Sequence, residues 1–525
     1  MAELFFQIHS EEIPSTMQYF GAFKLFNRTL EQLFCLFKKE FQGEYFFTPK
    51  RIGFYITDIP KMVDSIASEV RGPKITAQSK SIAGFIKKYS LHDISCLVVR
   101  EGYYYYIKES KRICSKDYIK IFLEEMLETF EWPKSMRWGR YNIKWIRPIH
   151  SIICLFNTEL IDVCFGHIIA NNKLYYQKEI IMIRSFAEYK MRLEALHVHI
   201  YHNKRLDIIK NESRIICQSL NIFIIEDEEL IREIANLVES PYIAIGKIEK
   251  KFMELPREIL VSMLKFHQKY IMTQDCYGNL APYFIIVSNI MTDDNLKTVV
   301  VGNEKVLRSR LSDVEYFYKE DLKTKLIDQF QNLKKVTFHH EIGSYHDKIQ
   351  MVKKIAEDLG KQMKFKDNDK IERTSLLIKA DLVTAVVNEL PELQGIAGYY
   401  YALYNSEEQD VANAIKEHYL PQGPSDPVPR SDLSIIVSLA DKIVTLNSMF
   451  AINIRPTGSK DPYALRRCAI GIIRIICTNQ LEIKLSYLLN KEVIKFISER
   501  ITILLNNEQN IYSIDLKYMH YSLQE

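Results

Sequence analysis

Near residue 336 the spacing of apolar residues changes, and that change limits what the chain can fold into more than any single motif. Before it, short alternating or wholly apolar runs recur, among them ELFFQI (3–8), GFYITDI (53–59), YYYYIKE (103–109) and YFIIVSNI (283–290). Runs of that length read as strands, with helical stretches between them. Beyond it, helical periodicity dominates 347–360, 371–389, 431–450 and later 493–507. Ile436, Leu439, Ile443, Leu446 and Phe450 stand alternately three and four apart, which puts them on one helix face. A chain of 525 residues is also too long for one core. The expected fold is multidomain α+β: a mixed α/β region over 1–335, a helical domain over 336–485 and a helical segment over 486–525.

Two punctuated stretches interrupt the helical half. PQGPSDPVPRS (421–431) carries four prolines and reads as a surface connection between helices. RPTGSKDPYALRR (455–467) places Asp461 where a helix N-cap belongs and Pro462 at the first helical position. Leu465, Cys468, Ala469, Ile472 and Ile476 then form an apolar stripe, with Arg467 and Arg474 expected on the opposite, basic face.

Several chemistries are excluded by what is missing. The chain has no G-x-x-x-x-G-K-[ST] loop, no G-x-G-x-x-G after a strand, no H-E-x-x-H and no G-x-S-x-G. A net charge of +4 argues against a general polyanion binder but allows local basic patches. Nine cysteines, none in a C-x-x-C, point to free thiols in a reducing compartment, with Cys154 and Cys477 inside apolar runs and expected to be buried. Glu3, Glu11 and Glu12 replace the basic start of a signal peptide, and no run of about 18 apolar residues stands out. The expectation is a cytoplasmic protein without a membrane partner.

Three constellations remain. WPKSMRWGRYNIKWIRPIH (132–150) interleaves all three tryptophans with Lys134, Arg137, Arg140, Lys144 and Arg147. Cations pair with phosphate and rings stack on bases, so the stretch suits nucleic acid; the same rings could equally anchor a core, with the cations as its rim. Lys265 and Lys269 flank His267, a phosphate site or general base on one reading and a packed histidine on the other. Downstream, Val306, Leu307, Leu311 and Val314 make a helix stripe with Arg308 and Arg310 off it. The third set is His346-Asp347, Asp381, His418 and Asp441. Asp381 and Asp441 lie among apolar neighbours, where a carboxylate needs a partner or a metal. A His-Asp dipeptide with a further His and Asp would build the metal site of an HD-type phosphohydrolase. Here Ala380 stands where the dipeptide's histidine belongs, so the ligand set is incomplete and no metal is expected.

These stretches together resemble one family, the β subunit of the bacterial heterotetrameric glycyl-tRNA synthetase. The resemblance runs through ELFFQIHSEEIPS (3–15), TPKRIGFYI (48–56), RGPK (71–74) and MRWG…WIRPIH (136–150). It continues through ELPREILVSMLKFHQKY (254–270), VSNI (287–290), GNEKVLRSRLSDVEYF (302–317) and LIKADLVTAVVNELPELQGIAGYYYA (377–402). AIKEHYLP (414–421), LADKIVTL (439–446) and RPTGSKDPYALRR (455–467) complete it, in family order.

The resemblance implies a tRNA-binding N-terminal body followed by an all-helical, degenerate HD-like domain in which Asp381, His418 and Asp441 hold the remnant positions. It implies a partner α subunit, in an expected α2β2 assembly, that makes glycyl-adenylate with ATP and Mg2+, so this chain needs no cofactor and no catalytic residue of its own. It implies tRNA(Gly) as the bound nucleic acid, with Arg137, Arg140, Lys144, Arg147, Lys265, Lys269, Arg308, Arg310, Lys460, Arg466 and Arg467 as candidate contacts. Family members continue through an anticodon-binding domain, and the segment 486–525 is expected to be a shortened form of it. Two other functions are compatible with the residues alone: a metal-dependent HD-type phosphohydrolase acting on a nucleotide, and an inert tRNA-binding scaffold.

Overall fold

The N-terminal strand Ala2–Ser10 is buried on both faces, which is why ELFFQI reads as an unbroken apolar run rather than an alternating one. It pairs antiparallel with Ile149–Phe156 on one side and Arg51–Ile59 on the other, with Leu4 opposite Phe156 and Ile56. Glu159–Leu160 and Gly43–Phe47 complete a five-stranded antiparallel sheet. One face, carrying Leu4, Phe6, Ile8, Ile52, Phe54 and Ile56, packs with Ala22, Leu25 and Leu33 of helix Ser15–Phe37 and with Ile119 and Leu123 of helix Ser115–Glu128. The other carries Phe5, Phe46, Ile153 and Leu155 against Phe186, Tyr189 and Leu193.

The structure is a computed structural model and describes residues 1–64, 68–89, 91–108, 112–141, 143–177, 179–458, 460–506 and 517–523. Two compact units divide it. One contains Met1–Ile245, Thr273–Gly278 and Ile285–Val300; the other contains Gly246–Met272, Asn279–Phe284 and Val301–Glu525.

In the second unit the last strands among the described residues are Thr337–His339 and Gly343–Ser344. Helices follow. Asp432–Ala451 packs against Tyr345–Gln362, Asn368–Leu377, Gln409–Glu417, Leu465–Thr478 and Lys491–Asn506, so its surface is consumed almost all round. It is long and apolar enough by composition to cross a membrane, a feature not evident from the sequence runs alone, but 94% of its most apolar stretch is buried within the unit. That is the pattern of a core helix.

Three local expectations are corrected. The periodic stretch 371–389 is broken into Asn368–Leu377, a 3-10 turn Ala380–Val383 and a short helix Ala385–Glu389. Thr384 causes the break: its backbone is extended and its side chain caps the next helix at Val387. The helix expected from Pro462 begins at Leu465, after a left-handed Ala464 with φ 54°. Asp461 still caps it, its two carboxylate oxygens accepting from the N–H groups of Leu465 (2.9 Å) and Arg466 (3.0 Å). Arg474 is buried rather than on a basic face, and it donates to the carbonyls of Gly423 (2.8 Å) and Asp426 (2.6 Å). The proline-rich connection is thereby pinned down, with Pro421, Val428 and Pro429 buried. All nine cysteines are free; Cys154 and Cys477 are buried as expected, while Cys35, Cys96, Cys164 and Cys276 are exposed.

Gly53 on Arg51–Ile59 has no room for a side chain: a Cβ would lie 2.4 Å from the Phe6 carbonyl oxygen and 2.6 Å from the Phe46 ring. Gly53→Ala is expected to destabilise the first unit by about 1–3 kcal/mol. Denaturation followed by tryptophan fluorescence measures this, since Trp132, Trp138 and Trp145 all lie in that unit.

Candidate nucleic-acid interface and a filled helical centre

The tryptophan-arginine stretch separates into a core and a surface. Trp145 is fully buried and Trp132 is 8% exposed; their rings meet edge-on at 5.2 Å, and both lie 5.1 Å from Phe130. Gly21 of helix Ser15–Phe37 makes space for Trp132, since a Cβ there would fall 2.2 Å from its ring. Trp138 is half-buried against the same core. Of the two readings of these rings, the structure favours the core anchor over the base-stacking surface.

The cations are different. Residues Met136–Arg137 and Lys144–Trp145 form a two-stranded ribbon with Lys144 opposite Arg137. Strand alternation turns Trp145 inward and Lys144 outward. Arg137, Arg140 and Lys144 are exposed, and no described carboxylate forms an ion pair with any of them. Beside them, exposed Tyr141 stacks on His167 at 4.5 Å. Arg147 instead donates to the carbonyls of Glu12 (3.2 Å) and Ile146 (3.1 Å), a positioning role within the fold.

The remaining candidates divide in the same way. Arg308 pairs with Glu249, and Arg310 lies 3.7 Å from Glu389. Val306, expected on the buried stripe of their helix, is 49% exposed, whereas Leu307, Leu311 and Val314 are buried. His267 Nε2 lies 3.1 Å from Glu392, whose carboxylate also accepts from Ser262. Lys265 and Lys269 flank it on a π-helical turn, Met263–His267, and its edge, and both are partnered. Lys460 and Arg467 are exposed and Arg466 half-buried, none with a carboxylate partner among the described residues.

In the second unit, the residues suspected of metal binding are each engaged by protein groups, while Asp381 Oδ1 and His418 Nε2 stay buried without a hydrogen-bond partner among the described residues. Asp441, buried near the middle of Asp432–Ala451, is flanked by Lys348 Nζ at 2.7 Å and Lys379 Nζ at 3.3 Å, both buried. Burial alone would raise its carboxyl pKa; the two ammonium groups overcome that and hold it well below the usual range. Burial pushes Lys379 down to about 8 against the pull of Asp441, and its ammonium sits 3.6 Å from the centre of the Tyr419 ring. Lys442, also pushed down by burial to about 8, donates to Leu420 O (2.8 Å), His418 O (3.2 Å) and Ser438 Oγ (2.9 Å).

Asp381 is held by backbone groups instead. Burial raises its carboxyl to about 6, opposed by the N–H groups of Gly395 (2.6 Å) and Gly398 (3.2 Å) donating to Oδ2. His418 is fully buried, its Nδ1 2.6 Å from the Ile415 carbonyl, and burial drives its pKa far down. Asp381, His418 and Asp441 do not bring three ligand atoms within 4.8 Å of one another; among the described residues only the consecutive His339, His340 and Glu341 do so. His346-Asp347 spells the dipeptide, but Asp347 is spent closing a capping box with Ser344.

One site has no single motif to announce it. His9, Ser10, Glu11, Lys50, Arg51, His150, Glu239 and Asn289 line a cavity of about 300 Å³ in the first unit. Arg51 is buried, with Nη1 2.5 Å from both Glu239 oxygens and Nη2 donating to Tyr175 O (2.9 Å). Thr48 Oγ1 donates to Glu239 at 2.5 Å, and Asn289 Oδ1 accepts from the N–H groups of Glu239 (2.7 Å) and Ser240 (3.0 Å). Burial, then Arg51, pushes the His9 imidazole down to about 3, so it is neutral; His150 lies 3.0 Å from Glu11. The lining residues named here come from stretches already singled out, IHSEE, TPKR, WIRPIH and VSNI, with Glu239 the addition.

Comparison with known proteins follows this geometry. A family model described as glycyl-tRNA synthetase beta subunit matches residues 4–516. The glycine–tRNA ligase beta subunit of Rickettsia felis is 39% identical over 502 residues, covering 93% of this chain and 74% of that protein. The beta subunits of Rickettsia canadensis (37% identical, 98% of this chain and 79% of theirs) and Rickettsia bellii (38%, 98% and 80%) are similar to it as well.

Two outcomes test the helical centre. Lys348→Met leaves Asp441 with one of its two cations and is expected to cost roughly 3 kcal/mol in chemical denaturation followed by far-UV circular dichroism. Lys442, whose pKa is lower folded (about 8) than unfolded (10.5), binds its proton less in the folded state between those values. Its contribution to stability therefore rises with pH across that window and is lost as pH falls. The Lys442→Met variant should show a shallower rise than the native chain between about pH 8 and pH 9.5.

Proposed function

Because the chain belongs to the glycyl-tRNA synthetase beta-subunit family, we propose that its part in glycine–tRNA ligation is to hold tRNA through surface cations while its α partner carries the activating chemistry. Membership in that family makes it a β subunit acting with an α subunit on tRNA. The proposal adds a division of labour. ATP and Mg2+ belong to the α subunit, the assembly is α2β2, and the complex works in the cytoplasm.

The observation that carries the tRNA reading is the exposed trio Arg137, Arg140 and Lys144, which no described carboxylate neutralises. An arginine already paired to a glutamate, as Arg308 is, must give up that pair before it neutralises a phosphate. The trio gives up nothing. Neutralising phosphates there releases counterions, and the adjoining Tyr141–His167 stack offers a flat aromatic face to the same ligand. Lys460, Arg466 and Arg467 form a second, smaller candidate surface on the same grounds.

The helical unit reads as an HD-like arrangement whose charge is supplied by lysines in place of a metal. Two ammonium groups already neutralise Asp441, and Asp381 Oδ2 accepts from backbone N–H groups. A phosphohydrolase at this centre is not favoured.

Arg137→Ala with Arg140→Ala, in the complex with the α subunit, should weaken tRNA(Gly) binding and reduce the slope of log affinity against log salt by roughly 0.7–0.9 for each phosphate no longer neutralised. Stability should change by no more than about 0.5 kcal/mol, because both side chains are exposed. An unchanged slope with an earlier melt would reverse the assignment.

A further inference from the structure

A second cavity in the first unit, of about 540 Å³, is lined by residues to which no sequence motif assigns a role. Its walls are aromatic: Tyr19, Tyr45, Phe47 and Tyr201. Tyr19 lies nearly parallel to Phe23, ring centres 5.4 Å apart and planes 12° from one another. Both remain accessible, at 50% and 39% exposure. Phe47 stacks on His202 at 5.3 Å. Ring faces this accessible are available to a further flat group.

The polar groups narrow the choice of that group. Arg232 is exposed among the lining residues. His202 is neutral at physiological pH, because burial, then Arg205, pushes it down to about 4. His202 Nδ1 and Asn236 Oδ1 are both buried and adjoin one another at the cavity wall, with no other hydrogen-bond partner among the described residues. Asn236 is anchored from behind: its Nδ2 donates to Ser15 O at 3.1 Å, and its own carbonyl accepts from Gln18 Nε2 at 2.6 Å.

An apolar peptide side chain would use the rings and strand the rest. Three phenols, a neutral imidazole, a fixed amide oxygen and a guanidinium instead match a ligand with a flat π face, a donor–acceptor edge and a nearby negative charge. A nucleotide has all three. We infer that this cavity takes one unpaired nucleotide of the bound tRNA, its base stacked on Tyr19, its edge met by Asn236 and His202, and its phosphate near Arg232. The inference rests on the proposed tRNA-binding role and deepens it, because it adds a contact that stacks where the Arg137 surface pairs charge.

The test is Tyr19→Ala in the complex with the α subunit, titrated with tRNA(Gly) transcript at several salt concentrations. Loss of one base stack should weaken binding by about 5- to 150-fold while leaving the salt slope unchanged, since no phosphate is uncovered. Tyr19→Phe should bind as the native complex does. Arg232→Ala should lower the slope by roughly 0.7–0.9. Native affinity in Tyr19→Ala, with the native complex binding tRNA, overturns the cavity assignment alone. Failure of the native complex to bind tRNA removes the underlying reading and this inference with it. Weakened association of Tyr19→Ala with the α subunit, at unchanged tRNA affinity, would mark a protein-docking face and also overturn the assignment.

Discussion

A carboxylate at the centre of a helical bundle must be neutralised, and the way Asp441 meets that demand organises the second unit. Its helix is buried against five others, so little water reaches it. Left alone, the group would protonate or force the bundle open. Lys348 comes from the helix Tyr345–Gln362 and Lys379 from the turn after Asn368–Leu377, so two neighbouring elements are tied to the central helix through one charge. Lys442, the next residue along, reaches the opposite way to the carbonyls at the end of Gln409–Glu417 and beyond it. Fixed ammonium groups thus supply the counter-charge this carboxylate needs, and they tie the elements that carry them to the central helix.

The first unit solves the same problem with Arg51 and Glu239. There the guanidinium contributes geometry as well as charge: one arm grips the carboxylate and the other a strand carbonyl, so a strand, a loop and Tyr175 are fixed together. Its own burial, aided by Arg51 and opposed by Glu239, keeps the neighbouring His9 neutral. In both units, then, the charges most deeply buried are committed to the fold. Among the cations without described carboxylate partners are Arg137, Arg140 and Lys144 in one unit and Lys460, Arg466 and Arg467 in the other, all outside those centres. The tRNA-holding role proposed above calls for this separation: rigid internal pairs and uncommitted surface charge.

What the sequence made legible follows from the range of the forces involved. Strands at 2–10 and 51–59 and the helix at 432–451 were readable because periodicity is local. Asp441 was recognised as needing a partner, but the partners lie far away in sequence, and local spacing cannot tell a lysine from a metal. Arg51 and Glu239 are 188 residues apart, beyond any motif. The tryptophans stayed ambiguous because a ring's affinity for a base says nothing about whether it faces out; the alternation of Lys144 and Trp145 on one short strand carries that information. The Arg474 reversal has a similar cause, since a helical face behind an apolar stripe is solvent only if nothing packs there, and the proline-rich connection does.

The most direct test of the account is attachment of glycine to tRNA(Gly) by the α subunit alone, by this chain alone, and by the two together. The division of labour proposed here requires glycyl-tRNA to form efficiently only in the mixture, with neither subunit sufficient. Efficient charging by this chain alone, or a mixture no faster than the α subunit by itself, would contradict it.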